Sequence, residues 1–226
     1  MCTVTYLPLG GDDFILTSNR DENPLRKTII PKIYIEDGVE LMYPKDELAG
    51  GTWIGVSDKK RLICLLNGGY LIHNRASSYK KSRGVIVKEL LKADDAISLI
   101  KGFNFEGIEP FTIVLVDWKG GLCAYELVWT GEEKSFNLLN NNPKIWSSAT
   151  LYNTNMKDVR QGWFTEWLIE NPVLDQKSIM KFHQREEKEK PEVSIKMKRD
   201  NVETVSVTSV LKKSNDWDMK YLDLIN

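Results

Sequence analysis

The chain is poor in the residues and runs that mark several large protein classes. Neither sign of charge dominates: 31 Lys and Arg stand against 32 Asp and Glu, for a formal net charge of -1. No global basic field is therefore available to draw a nucleic acid or an anionic membrane. No apolar run approaches the ~20 residues of a membrane span. The segment from Met1 to Phe14 has neither a basic start nor a long apolar core, so no signal peptide is expected and a cytoplasmic location is the default. Histidine is limited to His73 and His183, and cysteine to Cys2, Cys64 and Cys123 without paired spacing. That pattern argues against a zinc site and against a disulfide framework. The glycine pattern of dinucleotide binding and the phosphate loop are both missing, so nucleotide binding has no motif behind it.

What is present reads as an ordinary soluble globular chain. The 226 residues are 42% hydrophobic and 28% charged, enough for one sizeable core. Strand-like runs at Cys2–Leu7 and Asp13–Thr17 flank Gly10-Gly11-Asp12, a hairpin signal. Further hairpins are expected from Thr52–Ser57 with Arg61–Asn67 and from Phe111–Trp118 with Leu122–Trp129. Helices are expected over Ser82–Leu91, after a cap at Asp94, through Val159, Trp163 and Trp167 at i, i+4, i+8, and from Ile179 into the charged run Arg185–Lys190. Alternating apolar residues return at Val193, Ile195 and Met197, then at Val205 and Val207, then at Tyr221, Leu222 and Leu224. Hairpins separated by clustered helices predict an α+β protein in layers, and no boundary or repeat divides the 1–226 span.

Cys2 carries the chemistry that the composition leaves room for. A small second residue permits removal of Met1, which exposes a thiol and an α-amine on neighbouring carbons. The amine has an ordinary pKa of about 7.7–8.0 and takes the thiol proton directly or through one water. The nucleophile then has its own base and needs no histidine. The competing reading is a cysteine that only packs in a strand.

Ser18-Asn19-Arg20-Asp21-Glu22 ends the second strand-like run with five polar residues. If the hairpin forms, residue 2 pairs near residue 20, which brings Arg20 and Asp21 beside Cys2. A guanidinium stabilises a thiolate or an oxyanion, and a carboxylate holds the amine. A charged turn is the plainer alternative. Gly50-Gly51-Thr52-Trp53 allows a close backbone approach or marks a loop corner. Asn67-Gly68-Gly69 ends a buried strand, where the Asn67 amide suits an oxyanion donor or belongs to a turn. Trp146-Ser147-Ser148 through Asn153 either lines a pocket or caps the next helix. Ser82-Arg83-Gly84 reads as a helix start, and Arg199-Asp200-Asn201 as a turn.

These pieces together resemble the NRDE family, also called transport and Golgi organisation protein 2-like. The resemblance runs from Met1-Cys2 through Asn19-Arg20-Asp21-Glu22, residues 50–57, Asn67, residues 82–84 and residues 146–153 to the closing strand at 200–210. It implies an N-terminal-nucleophile hydrolase fold, a four-layer αββα sandwich of two antiparallel sheets. More distant kin include bile-salt hydrolases, penicillin V acylase and acid ceramidase, in which a cysteine attacks an amide carbonyl with Arg and Asp beside it. By motif position those roles fall on Cys2, Arg20 and Asp21, with Asn67 as oxyanion donor. Asn19, Ser148 and Arg199 are the candidate binding residues, Arg199 by its likeness to a late-strand arginine of those amidases. Many family members carry Asn where Ser148 stands.

The expected function is hydrolysis of a linear amide bond in a small molecule, with no cofactor. The alternative is a non-catalytic carrier of haem, lipid or an acyl ligand on the same scaffold, and a third possibility is an inert structural protein. Nothing in the sequence fixes an oligomeric state or names the substrate.

Overall fold

The computed structural model describes residues 3–225, so Cys2 lies outside the described residues. The chain forms two compact units, residues 3–25 with 142–225 and residues 26–141. Each is an antiparallel sheet with helices packed on one face, and the α+β class expected from alternating hairpins and helices is observed. No helix among the described residues is long and apolar enough to cross a membrane.

The first unit holds β1 (Thr3–Gly10), β2 (Asp13–Glu22), β10 (Lys144–Ser147), β11 (Glu203–Lys213) and β12 (Asp216–Asp223), in the spatial order β10-β1-β2-β11-β12. Gly10 and Gly11, both at positive φ, make the β1–β2 turn. Helices α3 (Thr154–Glu170) and α4 (Gln176–Phe182) cover one face. Phe164, Trp167, Ile179 and Phe182 pack there on Leu7, Ile15 and Ile145.

The second unit is a meander. Strands β3 (Thr28–Glu36), β4 (Val39–Asp46), β5 (Ile54–Ser57), β6 (Arg61–Asn67), β7 (Phe111–Asp117), β8 (Cys123–Trp129) and β9 (Lys134–Leu138) lie side by side in chain order. Helices α1 (Arg83–Lys92) and α2 (Ala96–Gly102) sit on one face, where Ile86, Val87, Leu90 and Leu91 meet Leu41, Tyr43, Ile63 and Leu65. Arg61 ties the layers together: it pairs with Asp117 and donates to the carbonyls of Leu90 and Ala93 at the end of α1.

Several expectations are corrected. The buried stripe of α3 is Arg160, Phe164 and Trp167, not Val159, Trp163 and Trp167, and Val159 is exposed. A buried arginine centres that stripe, which an apolar pattern alone does not reveal. Helix α4 starts earlier, because Asp175 accepts from the N–H groups of Lys177 and Ser178. It ends at His183, so Arg185–Lys190 is not a helix face. Val193, Ile195 and Met197 form no strand. The carbonyls of Val193, Ser194 and Ile195 accept instead from Arg160 and Asn19 side chains. The cap of α2 is Asp95, while Asp94 pairs with Lys59. The polar run at 18–22 continues β2 rather than ending it.

Candidate active site

Pairing register sorts the polar end of β2 onto two faces. Thr3 stands opposite Asn19, and Val4 opposite Ser18. On the other side of β2, Ser206 stands opposite Arg20, Val207 opposite Asn19 and Thr208 opposite Ser18. Directly opposed residues share a face and successive residues alternate. Asn19 therefore looks toward the helices with Thr3, while Ser18 and Arg20 look the other way with Ser206 and Thr208. Arg20 and Asp21 are neighbours in sequence that project from opposite faces.

The helix-side face holds a buried polar network. Asn19 Nδ2 donates to the carbonyls of His183 and Ile195, at 3.0 and 2.8 Å. Its Oδ1 lies 2.6 Å from His183 Nδ1, and His183 Nε2 lies 2.8 Å from Thr5 Oγ1. Burial, with Arg160 nearby as the smaller cause, pushes the His183 pKa down to about 3, so the ring is neutral. Asp21 accepts from Tyr152 Oη at 3.0 Å and from Thr204 Oγ1 at 2.6 Å. The Tyr152 ring lies under the guanidinium of Arg160 at 3.9 Å, with that of Arg199 at 5.4 Å, a cation–π arrangement. Arg160 also donates to Thr3 Oγ1. Arg199 donates to the carbonyls of Leu151 and Glu192, and Ser148 Oγ lies 2.9 Å from Thr150 Oγ1. The segment 148–152 is thus fastened from both sides, and Asn153 caps α3 by accepting from Met156 N.

The opposite face carries Arg20, 3% exposed, beside fully buried Ser18, Ser206 and Thr208. Asp223 lies opposite Ser206 in β12. Among the described residues, Ser206 Oγ and Thr208 Oγ1 have no hydrogen-bond partner. A buried guanidinium among hydroxyls is suited to stabilising negative charge. Ser206 and Thr208 were missed from the sequence. Their signal is the polar alternation inside residues 203–210, where Ser206 and Thr208 alternate with the valines.

Asn67 belongs to the second unit, at the end of β6 and half-buried. The glycines after it serve packing: Gly68 N donates to Pro110 O, Gly68 O accepts from Thr112 Oγ1, and a Cβ on Gly69 would stand 3.0 Å from Trp129 O. A Cβ on Gly51 would meet the Gly84 carbonyl carbon at 2.9 Å. Residues 50–57 and 82–84 are therefore one packing motif, in which the start of α1 lies on the Gly51-Thr52 backbone. Beside it Arg83 pairs with Glu109 at 3.1 Å and donates to Pro110 O, with burial pushing its pKa down. Among the described residues no cluster of His, Cys, Asp and Glu is grouped to hold a metal ion.

Residues 1–217 match the family described as Transport and Golgi organisation 2. The chain belongs to that family. No curated protein matches it in sequence. Among solved structures it is similar to the Caenorhabditis elegans N-acylethanolamine-hydrolyzing acid amidase ortholog. The identity is 14% and the TM-score 0.61, over 93% of this chain and 92% of that one. Two variants of the conjugated bile acid hydrolase from Clostridium perfringens are 9% and 8% identical at TM-score 0.55, each over 99% of this chain and 92% of theirs. The family's expected fold is thereby established: it is that of the N-terminal-nucleophile hydrolases, a fold that carries amidases.

Proposed function

We propose that the chain is a cysteine amidase of the N-terminal-nucleophile class, a single cytoplasmic domain that acts on a small molecule without a cofactor. Removal of Met1 frees the α-amine of Cys2. The amine takes the thiol proton, and the sulfur attacks an amide carbonyl. The tetrahedral oxyanion is held by Asn67 Nδ2 and backbone N–H groups. Collapse breaks the C–N bond, the leaving amine takes the proton, and a thioester remains. Water, deprotonated by the same α-amine, then releases the carboxylic acid and restores the thiol.

Arg20 lowers the cost of the thiolate. Asp21, its carboxylate oriented by Tyr152 and Thr204, accepts from the α-ammonium. Asn19, Ser148 and Arg199 contribute from behind, since their polar atoms hold the protein's own backbone and hydroxyls. The observation that carries this reading is a buried arginine at the end of β2, in the strand whose register runs antiparallel to the first described residues of β1. The named activities of the two fold relatives, on an N-acylethanolamine and on a conjugated bile acid, point to an acyl amide as substrate.

The test joins intact-mass measurement with turnover of an N-acyl amide panel by the native protein and by Cys2→Ala. Loss of Met1, an acyl adduct confined to Cys2 and abolished turnover in the variant are expected. Retained Met1 in the native protein, or unchanged turnover in Cys2→Ala, overturns the reading.

A further inference from the structure

β3 is an edge strand of the seven-stranded sheet, with β4 as its only neighbour among the described residues. Three isoleucines on it are largely exposed: Ile30 at 62%, Ile33 at 57% and Ile35 at 68%. Long exposed apolar edges are normally blunted, because their free N–H and C=O groups template pairing with another chain. Blunting here is confined to the start of the strand. Pro31 has no N–H, and the register slips between Ile29 and Lys32. From Lys32 to Glu36 the pairing with β4 is regular.

The hairpin register decides which backbone groups face outward. Asp37 and Gly38, both at positive φ, make a two-residue turn closed by Glu36 opposite Val39. The closing pair of such a turn exchanges hydrogen bonds, and bonded pairs then alternate along the ladder. Glu36, Tyr34 and Lys32 thus bond to β4, and Ile35 and Ile33 turn their N–H and C=O groups outward. Glu40, opposite Ile35, confirms the alternation. Its N–H donates to Asp58 and its C=O accepts from Asp58 N, on the β5 side of β4.

We propose that this edge pairs with the same edge of a second copy of the chain, antiparallel about a two-fold axis at Tyr34. In that register Ile33 faces the partner copy's equivalent of Ile35, and each such pair exchanges both its N–H···O bonds. On the face away from α1 the isoleucines cover one another. On the α1 face Lys32 meets the copy's equivalent of Glu36, and Tyr34 meets its own equivalent. Charge, apolar surface and outward backbone groups are all self-complementary in this one register, as a two-fold interface requires. The Tyr34 ring at the axis is held in place by stacking on Tyr43 at 4.4 Å. A five-residue seam lies at the small end of specific interfaces, under about 1,200 Å². The dimer is therefore expected to be weak and concentration-dependent.

Sedimentation equilibrium of the full chain, from low to several hundred micromolar, tests the association. Twice the monomer mass is expected at the upper end, and Ile33→Lys is expected to raise the dissociation constant by about tenfold or more. Register is tested by mild oxidation of Tyr34→Cys and Ile33→Cys, with the unsubstituted protein as control. A non-bonded pair at the axis has Cα atoms ~4.5 Å apart, within reach of a disulfide. The two copies of position 33 are diagonal neighbours at roughly 7–8 Å and out of reach. Cross-linking of Tyr34→Cys alone supports the register. A monomer at every concentration, a dimer indifferent to Ile33→Lys, or cross-linking at position 33 but not at 34 overturns the proposal.

Discussion

His183 shows how a residue without a part in the proposed chemistry can set the protein's response to acid. Asn19 uses its Nδ2 on two carbonyls, so its Oδ1 accepts and His183 Nδ1 carries the proton. Nε2 then accepts from the Thr5 hydroxyl at 2.8 Å. A second proton would displace that hydroxyl, inside a site closed to water and near Arg160. Burial accordingly lowers the folded pKa to about 3 from the ordinary 6.5. Between those values the unfolded chain binds a proton that the fold refuses. Stability contributed by neutral His183 is thus complete above pH 6.5 and is lost as pH falls, by about 1.4 kcal/mol per unit. Urea midpoints measured from pH 7 down to pH 4 should fall more steeply for the native protein than for His183→Gln, which carries no titrating ring. Parallel slopes in the two proteins would show that the ring does not resist protonation. Asn19 was legible in the sequence as part of a motif, but its use was not. A buried Asn that satisfies a histidine 164 residues away has no local signature, and a catalytic and a structural polar run have the same composition.

At the level of elements, the approach of the start of α1 to the strand layer rests on two glycines. A Cβ on Gly84 would stand 3.0 Å from both N and O of Thr52, and one on Gly51 2.9 Å from the Gly84 carbonyl carbon. The obstacles are backbone atoms, which cannot swing aside as a side chain would. Gly51→Ala and Gly84→Ala should each cost about 1–3 kcal/mol through forced separation of the helix from the loop. Gly102→Ala, at the end of α2 with nothing within 4 Å, should be neutral or gain up to about 1 kcal/mol. Chemical denaturation of the three variants checks the contrast, and equal effects would remove the steric argument. This close approach was legible only in part: Gly50-Gly51 allows either a close approach or a loop corner, Ser82-Arg83-Gly84 reads as a helix start, and no local signal joins the two. The β5–β6 and β7–β8 hairpins were readable in advance, since their apolar runs and short turns leave little choice. The β3–β4 hairpin was missed although Asp37-Gly38 between alternating residues is a strong turn signal. Its exposed isoleucines break the usual inward-outward contrast. The ends of α4 were misjudged because a capping Asp and a buried His outweigh the helix propensity of the charged run that follows.

For the whole molecule, connectivity separates two folding problems. The sheet of residues 26–141 joins each strand to its sequence neighbour, from β3 to β9 in order. Every pairing there closes a loop within one contiguous stretch. The other sheet places β1 beside β10 and β2 beside β11, so those two pairings span most of the chain. Thr17 and Ser209, bonded at 2.8 Å, are separated by 192 positions. Loop-closure entropy rises with separation, and non-local pairing slows folding. Only β1–β2 and β11–β12 are local hairpins in that sheet, and an isolated hairpin is at best marginally stable in water. The contiguous sheet should therefore form first, and its completion shortens the effective loop between residues 25 and 142 for the pairings that follow. Pulse-labelling hydrogen exchange during refolding of the full chain measures this order. Amides of β6 and β7 are expected to gain protection before those of β2 and β11. The reverse order would mean that the polar network around Asn19 and His183, rather than the local meander, nucleates the fold.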